Sequence, residues 1–165
     1  VSELTTGNMF GFLLTDTSRL FRQYFERMVS ESGFGLTPGE IRALTHVLRF
    51  RGSRQALLAE RMGVEPMTLS AYLDRLEARG LIKRMMDSSD RRAKLIEPTD
   101  AAFVMMSELE PLFGRILHQL MQGMSEDETL AVTKGLEKLR ANLVSDPQLV
   151  CASASAIGNT PLAVL

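Results

Sequence analysis

Apolar positions recur every three or four residues over long stretches of this chain, the spacing that lines one face of an α-helix. Between Asn8 and Ser32 the stripe runs through Phe10, Leu13, Leu14, Thr17, Leu20, Phe21, Tyr24, Phe25 and Met28, and Ser32, Gly33 and Gly35 end it. Thr37-Pro38-Gly39-Glu40 has the form of a capping box with proline at the first helical position. A second helix carrying Ile41, Leu44, Val47 and Leu48 is therefore predicted to about Phe50. Gly52-Ser53 interrupts the pattern, and Ser53 is expected to cap a short third helix running through Arg61, with Gly63 closing it. Pro66 opens a fourth helix whose Leu69, Leu73 and Leu76 fall on one buried seam, and Gly80 supplies its C-terminal cap.

The period then changes. Leu81 to Met86 and Ala93 to Glu97 are strand-length segments, and Asp87-Ser88-Ser89-Asp90 between them has turn chemistry, so the pair reads as a hairpin. Thr99-Asp100 is expected to cap a long fifth helix, bent near Pro111 and Gly114 and stopped by Gly123. Ser125-Glu126-Asp127-Glu128 is a further capping box, starting a sixth helix to about Val144. From Ser145 onward the chain is rich in Ala, Ser and Pro and carries no helical stripe. The expected fold is mainly α with a small β-hairpin wing. A short helix, a turn, a second helix and a basic hairpin follow one another without a gap. That order lays one helix in a DNA major groove and carries the hairpin to the adjacent minor groove.

Charge strengthens that reading. The net charge is −1, but its distribution is uneven. Between Arg49 and Lys94 there are eleven Lys/Arg against six Asp/Glu, a local excess of five positive charges inside an acidic remainder. Such a basic middle directs attraction at one surface. At 165 residues, with 45% apolar and 24% charged residues, the composition suits one helical globular domain. The single cysteine, Cys151, forms no internal disulfide and fits a reducing cytoplasm. No apolar run approaches the roughly 20 residues that span a bilayer, so no membrane association is expected. The opening VSELTTGNMF lacks the basic-then-apolar order of a secretory signal.

Within this frame the candidate DNA contacts follow from position. With the leucine seam inward, the opposite face of the fourth helix carries Met67, Ala71, Asp74, Arg75 and Ala78, flanked by Thr68, Ser70 and Tyr72. Thr68 and Ser70 can exchange hydrogen bonds with base edges, and Met67 and Ala71 can touch a thymine methyl. Tyr72 can bond a phosphate or sit half-buried, and Arg75 can reach base, backbone or solvent. Ser53, Arg54 and Gln55 open the third helix, whose free N–H groups favour a phosphate. Arg84 and Arg91 suit phosphates, as does Lys94.

Four segments, Leu58-Ala59-Glu60-Arg61, Leu73-Asp74-Arg75-Leu76-Glu77, Gly80-Leu81-Ile82-Lys83-Arg84 and Asp90-Arg91-Arg92-Ala93, occur in this order and spacing. In them the chain resembles the MarR family of winged helix-turn-helix transcription regulators, near its SlyA-like branch. The resemblance spans about Asn8 to Val144. It implies a homodimer built from the first, fifth and sixth helices, with each recognition helix on one half of a pseudo-palindromic double-stranded operator. It divides the chain into a dimerisation helix (8–36), a winged DNA-binding lobe (37–98), dimerisation helices (99–145) and a tail (146–165). It further implies that Arg92 enters the minor groove, held by a salt bridge to Asp90. It also implies a repressor released by a small aromatic or phenolic carboxylate.

Arg19 and Arg22 on the first helix, with their planar forks, and His46 on the second are candidates for holding such a ligand; salt bridges and a satisfied interior histidine are the alternatives. The chain departs from the family at Pro98 and Ala102, near the start of the fifth helix, which stiffens that junction. It also has Ala71 where SlyA-like relatives place an arginine, which removes a direct arginine–guanine contact.

No cofactor is expected. With His46 and His118 the only histidines, no glycine-rich phosphate loop and no metal-ligand spacing, enzymatic chemistry has little to work with beyond an undetected carboxylate pair. A winged helix that binds protein instead of DNA is the remaining alternative, and bulk duplex DNA would not compete with it.

Overall fold

A computed structural model describes residues 3–90 and 92–145. Arg91, Cys151 and the 146–165 tail lie outside the described residues, as do the expectations attached to them. The elements are α1 (Glu3–Glu31), α2 (Pro38–Arg49), β1 (Ser53–Arg54), α3 (Gln55–Met62), α4 (Pro66–Ala78), β2 (Ile82–Met86), β3 (Lys94–Pro98), α5 (Asp100–Leu120) and α6 (Glu126–Val144).

Both predicted capping boxes form as the sequence spells them. Thr37 caps α2: its hydroxyl accepts from the Glu40 N–H, and the Glu40 carboxylate accepts in return from the Thr37 N–H at 2.8 Å. Ser125 and Glu128 build the same reciprocal cap on α6. Gly63 ends α3 in the left-handed region at φ +62°, where a Cβ would be strained. The fifth helix is continuous through Pro111 and Gly114. Thr99 precedes α5 and its carbonyl accepts from the Ala102 N–H at 3.0 Å, while its hydroxyl donates to the Gly80 carbonyl at 2.6 Å and ties the start of α5 to the end of α4.

One expectation is corrected here. Ser53 does not cap α3; the N-cap is Arg54, without a side-chain hydrogen bond. Ser53 and Arg54 instead form β1, pairing antiparallel with Ile96 and Leu95. The hairpin therefore belongs to a three-stranded sheet in the order β1-β3-β2, with β3 in the middle and Ile82 opposite Pro98 through Met86 opposite Lys94. A two-residue strand has no alternation to detect, and its existence is decided by the partner strand.

The chain resolves into two compact units, Val1–Ile116 and Leu117–Leu165. In the first, one core joins Val29 of α1, Ile41, Leu44 and Val47 of α2, Leu58 of α3, the Leu69, Leu73 and Leu76 seam of α4, Ile96 of β3, and Ala102, Leu109, Leu112 and Ile116 of α5. Burying one such leucine contributes roughly 1.5–3 kcal/mol relative to leaving it in water. Phe25 of α1 stacks on Phe113 of α5 with ring centroids 6.4 Å apart. In the second unit, α6 has no buried residue, and Leu130, Val132, Leu136 and Leu143 are exposed.

Candidate nucleic-acid interface

The core dictates what α4 shows to solvent. Because Leu69, Leu73 and Leu76 are fully buried, the opposite face must be exposed. Met67 stands 86% exposed at the start of the helix, with Thr68, Ala71, Asp74 and Arg75 also exposed and Ser70 half-buried. Beside this face lies an open cleft of about 660 Å³. Arg54, Gln55 and Ala56 line it from the start of α3, Pro66, Ser70 and Asp74 from α4, and Arg84, Asp90, Arg92, Ala93 and Lys94 from the hairpin. Residues from three separate parts of the sequence thus converge on one concave surface, with four cations against two acids.

The cations are not equivalent. Arg92 and Lys94 are exposed, and no ion pair engages either among the described residues. Asp90 meets Arg92 through the main chain: the Arg92 N–H donates to its carboxylate at 3.0 Å. The expected Asp90–Arg92 salt bridge is therefore replaced by a turn-closing hydrogen bond, which leaves the Arg92 guanidinium unencumbered.

Arg84, expected at a phosphate, is only 12% exposed, and its guanidinium donates to Asp74 at 2.7 Å and to Glu77. It is a strut between wing and recognition helix rather than a free cation. Arg75 reaches back from α4 to the Glu40 carboxylate at 3.1 Å, pairing an acid that is only 4% exposed. A buried carboxylate needs such a partner, so Arg75 serves packing as well as the outer face. Tyr72 takes the half-buried alternative, its ring lying against Gly39 of α2.

Arg54 is held in turn. Its Nε donates to Asp87 at 2.8 Å and its Nη2 lies 2.7 Å from the same carboxylate. Asp87, read from the sequence only as a turn residue, also accepts from the Ser89 hydroxyl and N–H, at 2.7 and 2.8 Å. These bonds, those from Ser89 first and that from Arg54 next, hold its carboxyl at a pKa of about 2. Ser53, half-buried on β1, accepts from Arg61 at 3.3 Å. Gln55 is half-buried at the first position of α3.

The three candidate effector residues are not brought to this cleft. Arg19 is bound within its own helix to Asp16 at 2.6 Å and to Gln23. Arg22 is exposed on α1. His46 is half-buried, with Nδ1 2.8 Å from the Arg42 carbonyl. Burial lowers its pKa below 6.5, and the charges of Arg42, Arg49 and Arg61 act in the same direction. The described residues contain no cluster of His, Cys, Asp and Glu able to hold a metal ion, and no helix among them is long and apolar enough to cross a membrane.

A leucine-seamed helix exposed beside a basic hairpin, with a short helix starting at the same cleft, defines the winged helix-turn-helix class of DNA-binding regulators. The profile of the MarR family matches residues 36–94, the segment that builds this surface. The solved structure of transcriptional regulator PA3341 is 34% identical, with a TM-score of 0.66 over 83% of this chain and 99% of that one. A MarR-family transcriptional regulator from Silicibacter pomeroyi is 25% identical, with a TM-score of 0.68 over 83% of this chain and 91% of that one. A MarR transcriptional regulator from Methanosarcina mazei Go1, at 18% identity, shares the fold with a TM-score of 0.71 over 82% of this chain and 96% of that one. The chain belongs to the MarR family, and the proteins it matches are transcription regulators rather than enzymes.

Proposed function

We propose that the protein is a dimeric, sequence-specific repressor that reads a pseudo-palindromic DNA operator and is released by a small aromatic or phenolic carboxylate. The observation that carries the DNA reading is the single cleft on which the α3 start, the exposed face of α4 and the hairpin converge. Met67, Thr68, Ser70 and Ala71 meet base edges in the major groove, while Arg92, with Arg91 beside it, reaches the minor groove and its flanking phosphates. Lys94 adds a phosphate contact. Dimerisation is supported by the apolar residues that α1 and α6 each leave exposed. We assign the dimer contacts to residues 8–36 and 99–145 and the operator contacts to 37–98, and the cytoplasm is the compartment where such a regulator meets DNA. The ligand part rests on the family resemblance, with Arg22 the arginine candidate that has no ion pair among the described residues.

Selection of bound duplexes from a randomised pool, at about physiological salt, tests this directly. Recovery of a pseudo-palindrome with half-sites about one helical turn apart is expected. A pool that stays unenriched, with or without dialysis to strip ligand, overturns the operator reading. Arg92→Ala should then weaken binding of the recovered duplex strongly while leaving the circular-dichroism melt unchanged.

A further inference from the structure

The wing must stand at a fixed angle to α4 if its arginine and the recognition helix are to meet one DNA duplex together. Arg84 ties β2 to α4, but the turn of small polar residues beyond it has little of its own to hold it in place. The structure supplies a cross-brace at the point where the wing leaves the sheet. Asp87 is the residue after β2, and it is only 8% exposed although the turn around it is open. Its main-chain N–H donates across the wing to the Ala93 carbonyl at 3.1 Å. One carboxylate oxygen accepts from both donors of Ser89, at 2.7 and 2.8 Å, and so shapes the turn. The other oxygen takes Nε and Nη2 of Arg54, at 2.8 and 2.7 Å. Arg54 Nη2 also lies 3.3 Å from the Ser89 hydroxyl, so the arginine grips the turn at two places.

We propose that Asp87 is the positioning residue of the wing, locking it through Arg54 to the start of α3 so that both present to DNA as one rigid surface. This assigns Arg54 a different task from the phosphate contact that its place at a helix N-terminus suggests. It also gives an acid on the DNA-facing lobe a favourable role. The inference rests on the DNA-binding reading above, and it makes a prediction of opposite sign to simple electrostatics. An acid near a polyanion repels it, so a bystander Asp87 replaced by asparagine should tighten binding. A positioning Asp87 replaced by asparagine should loosen binding, because the guanidinium loses its charged acceptor and the wing loses its brace.

The test uses the full chain and the duplex recovered by the wild type. Asp87→Asn should weaken binding roughly tenfold, as a displaced supporting contact does. Arg54→Ala should weaken it to a similar degree, and the double variant should be no worse than the weaker single. The slope of log affinity against log salt should be unchanged in all three. Loss of a phosphate contact would reduce that slope by about 0.9, and such a reduction in Arg54→Ala overturns the proposal, as does tighter binding by Asp87→Asn. Ser89→Ala, which keeps the charge pair, provides a milder variant should Asp87→Asn fail to fold, and it should weaken binding by a few-fold. Amide hydrogen exchange without DNA separates the two readings. Faster exchange at Ser89 and Ala93 in Asp87→Asn supports the brace even if the wild type selects no duplex, and unchanged exchange overturns it.

Discussion

His46 takes the form of a satisfied interior histidine, and its surroundings bear on stability. Its Nδ1–H donates to the Arg42 carbonyl one turn earlier, and its ring tilts against Phe50 at 6.2 Å between centroids. Burial first, then three neighbouring arginines, disfavour its charged form, so its folded pKa lies below 6.5. As pH falls through about 6.5 the unfolded chain binds a proton that the folded chain refuses, and stability falls with it. Thermal melts should therefore show a lower Tm at pH 5.5 than at pH 7.5, and His46→Gln should flatten that difference. Asp87 shifts in the other sense: with a folded pKa of about 2, its contribution is present above the ordinary carboxylate range and is lost as pH falls toward 2. Leu73, fully buried between α4 and the core, is the residue whose truncation should be felt most simply. Leu73→Ala should cost about 2–5 kcal/mol in urea unfolding, the range for a large-to-small change in a packed site.

At the scale of elements, the contact between α2 and α4 carries more than apolar packing. Gly39 lies in the first turn of α2, where a Cβ would run into the Tyr72 ring. Alanine is the better helix former, by nearly 1 kcal/mol, yet Gly39→Ala should destabilise by about 1–3 kcal/mol because the ring must move. Combining it with Tyr72→Ala should abolish that extra penalty in a double-mutant cycle. The same interface holds the Glu40–Arg75 pair, and Arg79 at the end of α4 donates to the Gly35 and Phe34 carbonyls ahead of α2. The recognition helix is thus fixed along its length, with its exposed face left free of structural duty near Met67, Thr68 and Ala71. Both capping boxes and the leucine seam were legible in the sequence, because each depends on residues three or four apart. β1 was not, because its two residues become a strand only by lying beside Ile96 and Leu95.

For the whole molecule, the decisive feature is apolar surface that the single chain does not cover. Met9, Phe10, Phe12, Leu13, Leu14, Leu20 and Phe21 are exposed on α1, and Leu130, Val132, Leu136 and Leu143 on α6. A contiguous apolar face of this length marks an interaction surface, which is the ground for the proposed dimer. On the proposed dimer, Leu13→Glu combined with Phe21→Glu should give a monomer in light scattering and abolish binding of the selected duplex. A dimer that persists in this variant would remove α1 from the assembly. If two basic lobes share one duplex as proposed, affinity for the selected duplex should fall steeply between about 50 and 200 mM salt.

The sequence by itself determined the order of the six helices, both capping boxes, which face of α4 is apolar, that a basic hairpin follows a helix pair, and which family the chain resembles. These are properties of neighbours within about one turn of chain, and local spacing records them. Only the tertiary structure decided what the arginines do. Arg54 finds Asp87, Arg75 finds Glu40 and Arg84 finds Asp74 across 33, 35 and 10 positions of sequence. No local period encodes those pairs. A long cationic side chain can reach any acid the fold brings near it, so its partner is set by packing rather than by pattern.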